Sequence, residues 1–361
     1  MNSLSNILPW LEENVESMRQ SRRKTLADIV EGAMRLQGSG VLALGRAMRG
    51  ETAPKHRIKR VDRFLGNAQV ETQAVFAALF HAACPPTGEL IVLADWTDRQ
   101  THQQLVLALS RNGRALPFVC ITVPKSETAG EQEGAMIAAE KRALEVFASF
   151  CPPARTPILI ADRGFGNSRW LGEIQKRGWY FVQRLARNHY VEVEGHAGLL
   201  YELGTRKGSL PKDHGWGTLG EKQWGKIRLI TAHDARASEP WILVTNMEYT
   251  SAKDTCGLYE RRMWIEAMFR DLKNRELGLG MDRVRLSSAQ RFDCHFIILA
   301  LAYLFLSAYG AVAEMVRFAD QLKANTVNHR VLSLAKIGAY CIGLITCTLP
   351  QAIERLARLP A

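Results

Sequence analysis

The order of its short apolar segments is the feature that most constrains this chain. Three β-like segments, at residues 90–94, 105–109 and 117–123, are joined by short turns, one of them signalled by Asn112-Gly113. Alternating helical and β-like stretches follow at 131–150, 157–161, 168–176 and 179–185. This order is typical of an α/β fold of the ribonuclease H-like kind, in which helices flank a mixed sheet.

The rest of the chain divides around that core. Helical periodicity dominates before Pro85-Pro86, whereas a Gly- and Lys-rich stretch with β-like segments at 226–231 and 241–244 separates the core from a further helix. We therefore predict an all-helical N-terminal domain (1–85), a catalytic core (86–185 and 248–315), a β-rich insertion (186–247) and a helical C-terminal segment (316–361).

The charge of the chain favours a polyanionic partner. A formal net charge of +11 gives the molecule a positive field, which suits nucleic acid or a membrane surface, although solvated Lys and Arg faces would give the same balance. The N-terminal domain contains a crowded basic stretch, for which we predict DNA binding through Arg57, Lys59, Arg60 and Arg63. A solvated charged helix is the alternative for this stretch.

Cysteine usage and hydropathy bear on the compartment. The seven cysteines include no Cys-x-x-Cys pair, which fits neither a disulfide framework nor a zinc site, so we expect a reducing cytoplasm. The apolar stretch 296–312 is short for a membrane span and contains Ser307 and Gly310, so we predict a buried helix there and no membrane association. We find no Walker-type Gly-Lys-Ser/Thr loop and expect no nucleotide cofactor.

Two aspartates follow apolar β-like segments in the same way. Asp95 comes after Ile-Val-Leu-Ala and Asp162 after Ile-Leu-Ile-Ala. A strand directs such a carboxylate into the cleft at the edge of an open sheet, and strands that are neighbours bring two of them together. Either aspartate alone is more often a strand-end or helix-capping residue, but the shared context favours a functional pair.

A third acidic residue lies on a predicted helix. If residues 259–273 form one helix, Tyr259, Arg262, Glu266 and Lys273 share one face, and Trp264, Ile265, Met268 and Leu272 share the opposite face. The apolar face would pack on the sheet and leave the polar face towards the cleft. The alternative is an amphipathic helix whose polar face is merely solvated.

These residues also carry a resemblance to a known family. The spacing Tyr-x2-Arg-x3-Glu-x6-Lys, from Tyr259 to Lys273, resembles the signature of bacterial insertion-sequence DDE transposases of the insertion sequence four type. The Asp95-Trp96-Thr97 and Asp162-Arg163-Gly164 contexts are similar to the aspartate motifs of that family, and the basic stretch 55–67 is similar to the segment before its catalytic core. The resemblance runs from about residue 20 to about residue 315.

The resemblance implies a metal-dependent DNA transposase. Asp95, Asp162 and Glu266 would hold two Mg²⁺ ions, for which Mn²⁺ would substitute, because hard oxygen ligands select these metals. Asp95 is expected to bridge the two ions. Paired transposon ends imply a homodimer on double-stranded DNA.

The DNA contacts expected of the chain extend beyond the metal ligands. By the resemblance, Tyr259, Arg262 and Lys273 would hold the transposon-end strand, and an aromatic residue of the insertion would stack on an extruded base. Trp216 and Trp224 are the candidates for that role, whereas Trp96 and Trp170 are expected in the core.

Two other functions fit parts of the same sequence. A ribonuclease H-like nuclease without strand transfer would have the same carboxylates, but it would not need Tyr259, Arg262 and Lys273 to hold a retained end. A domesticated DNA-binding protein that no longer cuts would not need the intact set of carboxylates.

Overall fold

The structure is a computed structural model, and it describes most of the chain. The described residues are 6–126, 128–274, 278–324, 326–327, 329–344 and 347–359. The first five residues of the predicted N-terminal domain and the last two of the C-terminal segment lie outside them.

Five helices precede the sheet. They are α1 (Ile7–Asn14), α2 (Gln20–Leu36), α3 (Val41–Ala47), α4 (Pro54–Leu65) and α5 (Thr72–Ala83). α2 ends where Gln37 takes a left-handed conformation (φ 48°), and α4 begins with a proline in its first turn, where a missing backbone N–H costs nothing. Each helix buries apolar residues in a core that continues into the sheet, so the helices are packed against the rest of the chain.

The predicted three-stranded meander is present. Its strands are β1 (Leu90–Arg99), β2 (His102–Arg111) and β3 (Arg114–Pro124). Asn112 and Gly113 both have positive φ, 40° and 76°, as the two-residue turn between β2 and β3 requires. The strands are longer than their apolar segments because polar residues such as Gln103 and Gln104 continue the ladder.

Helices and parallel strands then alternate as predicted. The elements are α6 (Ala129–Ala148), β4 (Pro157–Ala161), α7 (Ser168–Lys176) and β5 (Tyr180–Arg184). The side chains of Thr128 and Asn167 accept hydrogen bonds from Glu131 N and Trp170 N and so fix the starts of α6 and α7. β4 pairs in parallel with both β1 and β5, and this gives the sheet its mixed character.

Residues 186–247 extend the same sheet. They form β6 (Tyr190–Val193), β7 (His196–Leu199), β8 (Ser209–Leu219), β9 (Trp224–His233) and β10 (Trp241–Thr245). β10 pairs with β5, and the strand order is β3-β2-β1-β4-β5-β10-β9-β8-β6-β7. The two β-like segments of this stretch correspond to β9 and β10. β6, β7 and β8 were not predicted, because β6 and β7 span only 4 residues each and the Gly- and Lys-containing sequence of β8 shows no apolar alternation.

Five α-helices follow the sheet in the described part of the chain. They are α8 (Ala252–Glu260), α9 (Met263–Lys273), α10 (Ala289–Met315), α11 (Leu334–Cys341) and α12 (Leu349–Ala357). α9 and α10 pack on β3, whereas α11 and α12 pack on α10. α10 is the one helix of the described residues that is long and apolar enough to cross a membrane, and its apolar window is completely buried inside the protein. The prediction of a buried helix is therefore confirmed. α11 crosses α10 closely, because a Cβ at Gly310 would stand 1.9 Å from the Leu334 carbonyl oxygen.

The prediction of one helix over 259–273 is wrong. α8 ends at Glu260 and α9 begins at Met263, with a tight turn between them. Arg262 N bonds to the Tyr259 carbonyl and Ile265 N to the Arg262 carbonyl, so three-residue hydrogen bonds replace four-residue ones at the junction. Arg261 and Arg262 keep right-handed helical dihedral angles, which lets the two helices follow each other closely.

Candidate active site

Asp95 and Asp162 lie at equivalent positions of two neighbouring parallel strands. The register of β1 with β4 ends with Ala94 opposite Ala161; Asp95 is the next residue of β1, and Asp162 directly follows the end of β4. Asp95 is not the end of β1, which continues to Arg99 in pairing with β2. β4 ends at Ala161, so β1 has no partner on that side from Asp95 onwards. Both aspartates therefore lie where the pairing of β1 with β4 stops.

The local backbone fixes both carboxylates. Asp95 Oδ1 accepts a hydrogen bond from Trp96 N at 2.8 Å. Asp162 Oδ1 accepts one from Gly164 N at 2.8 Å and caps the short 3-10 turn Arg163–Phe165. The Asp162 carbonyl oxygen accepts a hydrogen bond from the side chain of Gln183 on β5. Each aspartate is therefore held by its own strand or turn.

The electrostatics of Asp95 show an excess of negative charge. Burial raises the pKa of its carboxyl to about 7, and the neighbouring carboxylate of Asp162 adds to the increase. Arg262 opposes the increase in pKa, and Glu266 contributes a smaller repulsion. Asp162 and Glu266 thus both act on Asp95, and Arg262 partly offsets them.

Glu266 extends from the first turn of α9 into an open cleft. Its carboxylate oxygen Oε1 is 2.7 Å from Arg262 Nη1, and its side chain is 41% exposed. The cleft has a volume of about 800 Å³ and is lined by Trp96, Thr97, Asp98, Glu266, Phe269, Arg270, Lys273 and Asn274. On the other side of α9, Ile265, Met268 and Leu272 are buried as predicted, while Trp264 is only half-buried.

Lys273 lies in the cleft, and a residue that the sequence analysis missed lies beside it. The Lys273 ammonium is 5.9 Å from the ring centre of Phe269. Arg270, four residues after Glu266, is exposed in the same cleft and has no ion pair among the described residues. Its spacing from Glu266 was the signal that could have identified it, since residues four apart share a helix face.

Tyr259 does not face the cleft, so that part of the shared-face prediction is wrong. Its side chain is 2% exposed, and its ring meets the edge of Trp241 with the ring centres 5.0 Å apart. The Arg262 guanidinium lies 5.9 Å from the centre of the Tyr259 ring. Because the chain turns between α8 and α9, the buried Tyr259 ring packs beneath Arg262. Burial raises the pKa of the Tyr259 hydroxyl.

Trp170 lies in the core as predicted, and Trp96 packs against the core without being fully buried. Trp96 is half-buried and lines the cleft, and its indole nitrogen lies 3.4 Å from a carboxylate oxygen of Glu140 on α6. Burial raises the pKa of Glu140 to about 7. Trp170 is 2% exposed and packs against Phe165.

The four predicted basic residues of α4 fall into two pairs. Arg60 forms an ion pair with Asp28 at 2.9 Å, and Arg57 donates to the carbonyl oxygen of Gly50 at 2.9 Å. Lys59 and Arg63 are exposed and have no ion pair among the residues that the structure describes. Only the second pair is free to bind a partner without breaking a contact of the fold.

Trp216 and Trp224 lie on strands that are separated from β4 by β5 and β10. Trp216, on β8, lies under Lys226, whose ammonium is 4.6 Å from the ring centre. Trp224, at the start of β9, packs on Gly172 of α7 and lines a cavity of about 300 Å³ together with Trp170. Both rings are half-buried, and neither lines the cleft of Glu266.

Comparison with known families identifies the class of protein. Residues 86–305, more than half of the chain, match the family described as transposase DDE domain, and the chain belongs to this family. The matched segment contains Asp95, Asp162 and Glu266, and the family supports a transposase function for the chain. A search of curated proteins found no similar one.

Proposed function

We propose that this protein is a DNA transposase that cuts DNA at the ends of a transposable element and transfers those ends into target DNA. The observation that carries the proposal is the adjacency of Asp95 and Asp162 on β1 and β4, with Glu266 within electrostatic reach of Asp95. Phosphodiester chemistry of this type uses converging carboxylates and divalent metal ions. The DDE family assignment agrees with that chemistry.

The residues of the site fit a divalent cation. Asp95 is a partly buried carboxylate whose pKa is raised to about 7 by burial and by like charges, so a cation beside it would relieve an unfavourable charge. The three proposed ligands are hard oxygen donors, which favour Mg²⁺ and accept Mn²⁺. Two such ions, when bound, would supply the nucleophile and stabilise the leaving oxygen. Asp95 is proposed to contact both ions.

The strand order and the spacing from Tyr259 to Lys273 support a more specific proposal, a transposase of the insertion sequence four type with a ribonuclease H-like core. The order β3-β2-β1-β4-β5, with parallel pairing on both sides of β4 and helices α6 and α7 between strands, supports the proposal of a ribonuclease H-like core. The spacing from Tyr259 to Lys273 supports the insertion sequence four type. In this type the DNA reaction is cut-and-paste transposition, in which two ends are brought together by a homodimer.

The cleft supplies the positive charge that a DNA strand requires. Arg270 and Lys273 are proposed to contact phosphates on either side of the bond that reacts, and Arg262 to grip one through its planar guanidinium. Lys59 and Arg63 of α4 are proposed to bind the double-stranded DNA of the transposon end. Trp216 and Trp224 remain proposed base-stacking residues, and a cytoplasmic protein acting on bacterial DNA is the setting that these roles imply.

Incubation with labelled DNA tests the function. Purified protein and the Asp162→Ala variant are incubated with Mg²⁺ and duplexes that carry the ends of the encoding element, and the products are separated on denaturing gels. We expect site-specific 3′-hydroxyl ends and joined products with the wild type, and neither with the variant. Cutting without joining would indicate a nuclease that does not transfer strands. Tight end binding without cutting, with Mg²⁺ or Mn²⁺, would leave a DNA-binding protein and contradict the catalytic assignment.

A further inference from the structure

Arg262 is committed to one of the proposed metal ligands. Among the described residues its ion pair is with Glu266, at 2.7 Å, and its side chain is only 15% exposed. Its second terminal nitrogen, Nη2, faces the Met263 sulfur at 3.3 Å, which is a weak acceptor. Its Nε is buried and has no acceptor within the part of the chain that the structure describes. The guanidinium therefore keeps unused hydrogen-bonding capacity while it holds Glu266.

The ion pair gives Glu266 a positive partner, which is the role that a divalent cation would have at the same carboxylate. Among the described residues, no three His, Cys, Asp or Glu side chains are arranged to hold a metal ion as they stand. The ion pair with Arg262 is what occupies Glu266.

We propose that Arg262 is a positioning residue that holds Glu266 in the free protein and releases it to the metal when the guanidinium moves to a DNA phosphate. This inference rests on the proposed function, because it takes Asp95, Asp162 and Glu266 as the metal ligands. Its consequence is that the complete metal site forms on DNA, so binding of the metal and binding of the transposon end reinforce each other.

The strengths of the two contacts favour this exchange. An ion pair with a carboxylate that is 41% exposed is weak, because water screens it. A guanidinium that binds a phosphate through two parallel hydrogen bonds makes a stronger contact. Nε of Arg262, which has no acceptor among the described residues, would gain one in that arrangement. A DNA phosphate can therefore replace Glu266 as the partner of Arg262. The Glu266 carboxylate is then free to bind a cation.

Direct measurement of Mn²⁺ binding tests the inference without any cleavage. Electron paramagnetic resonance titrations of the full-length protein in the absence of DNA would compare the wild type with Arg262→Gln and Arg270→Gln. Both substitutions remove one positive charge from the same region, but only Arg262 is paired with Glu266. We expect Arg262→Gln to bind Mn²⁺ about two- to fivefold more tightly than Arg270→Gln, because the competing cation is lost.

Two further measurements cover a loss of folding and the dependence on DNA. Arg262→Lys keeps the charge, so we expect its Mn²⁺ affinity to stay within about twofold of the wild type. A duplex carrying the transposon end should raise the Mn²⁺ affinity of the wild type more than that of Arg262→Gln. If Arg262→Gln does not fold, as judged by circular dichroism, the absence of any increase with DNA in the wild type would contradict the inference.

The carboxylate variants separate failure of this inference from failure of the proposed function. If Asp95→Asn and Glu266→Gln bind Mn²⁺ as tightly as the wild type in the presence of the transposon-end duplex, the metal site itself is wrong. If both variants lose Mn²⁺ in the presence of the duplex, but Arg262→Gln without DNA binds it no more tightly than Arg270→Gln, the metal site stands and the role proposed for Arg262 is wrong.

Discussion

Asp95 and Asp162 occupy equivalent positions on two parallel strands, each one residue beyond the last register pair of β1 and β4. β4 ends at that point, while β1 continues in pairing with β2 alone. The two carboxylates therefore meet where the ladder opens, and their proximity contributes to the raised pKa of Asp95. A fold does not gain stability from such a pair, which is consistent with selection for a function.

The pKa of Asp95 predicts how its removal affects stability. The folded protein raises this pKa from 3.8 to about 7, so the ionised carboxylate destabilises the folded state, and the penalty develops as the pH rises between those values. We expect Asp95→Asn to increase the free energy of unfolding by about 2 kcal/mol near pH 8 in metal-free buffer and to have little effect near pH 4. Urea denaturation at both pH values measures this.

Asp98 provides the control for that measurement. It lies on the same strand, is exposed, and has its pKa lowered chiefly by a hydrogen bond from Lys125. Asp98→Asn should not stabilise the protein at the higher pH. Equal stability of Asp95→Asn and the wild type near pH 8 would show that the folded protein does not raise the pKa of Asp95 as described.

Asp271 anchors the helix that carries Glu266. Its carboxylate accepts a hydrogen bond from the buried Tyr303 hydroxyl at 2.9 Å and pairs with Arg114 of β3 at 3.3 Å. We expect Asp271→Ala to lower the free energy of unfolding by about 1–3 kcal/mol, because the Tyr303 hydroxyl loses its acceptor inside the protein. Tyr303→Phe removes the hydroxyl donor, so no unpaired hydroxyl remains inside the protein, and Asp271 keeps its ion pair with Arg114. This variant should therefore lower the free energy of unfolding by less than Asp271→Ala. A larger loss in Tyr303→Phe would contradict this account of the anchor.

Arg270 and Lys273 should contribute to DNA affinity through phosphates. Each substitution to alanine is expected to weaken binding to every DNA sequence and to reduce the slope of log affinity against log salt by about 1. Fluorescence anisotropy over a range of salt concentrations measures the slope. Arg317→Ala, which removes a side chain that is 85% exposed in the C-terminal segment, is the control. An unchanged slope for both cleft variants would exclude their phosphate contacts.

The two pairs of basic residues on α4 should behave differently. Lys59→Ala and Arg63→Ala are expected to reduce DNA affinity without changing the melting temperature, since these side chains have no ion pair among the described residues. Arg60→Ala breaks the pair with Asp28 and should lower stability by up to about 1 kcal/mol. A lower stability of Lys59→Ala, or an unchanged stability of Arg60→Ala, would contradict the division of these residues into a DNA-binding pair and a pair that stabilises the fold.

The half of the sheet formed by β1 to β5 could be predicted from the sequence because its signals are local. Apolar segments defined β1 to β5, a two-residue turn signal placed the β2–β3 hairpin, and the predicted helix 168–176 coincides with α7. The adjacency of Asp95 and Asp162 followed from parallel neighbours in one sheet. The metal-binding role of these residues stays a prediction.

The features that were missed depend on contacts distant in sequence. β6 and β7 are short and β8 has an irregular sequence, and all three are strands because β9 and each other supply their partners. Tyr259 is buried because the chain turns at Arg261 and Arg262, and helical spacing alone does not reveal a turn whose residues keep helical dihedral angles. The ion pair of Arg262 with Glu266 has the four-residue spacing that helical periodicity favours. The influence of Arg262 on Asp95 depends on the packing of α9 beside β1, which the sequence does not reveal.

Anomalous scattering from Mn²⁺ in crystals of the protein bound to a transposon-end duplex tests the central claim most directly. We predict anomalous peaks within coordination distance of the carboxylate oxygens of Asp95, Asp162 and Glu266, and their loss in Asp95→Asn. Mn²⁺ bound only elsewhere, with these three side chains free of metal while DNA is in place, would contradict the claim that they form the metal site of a DNA transposase.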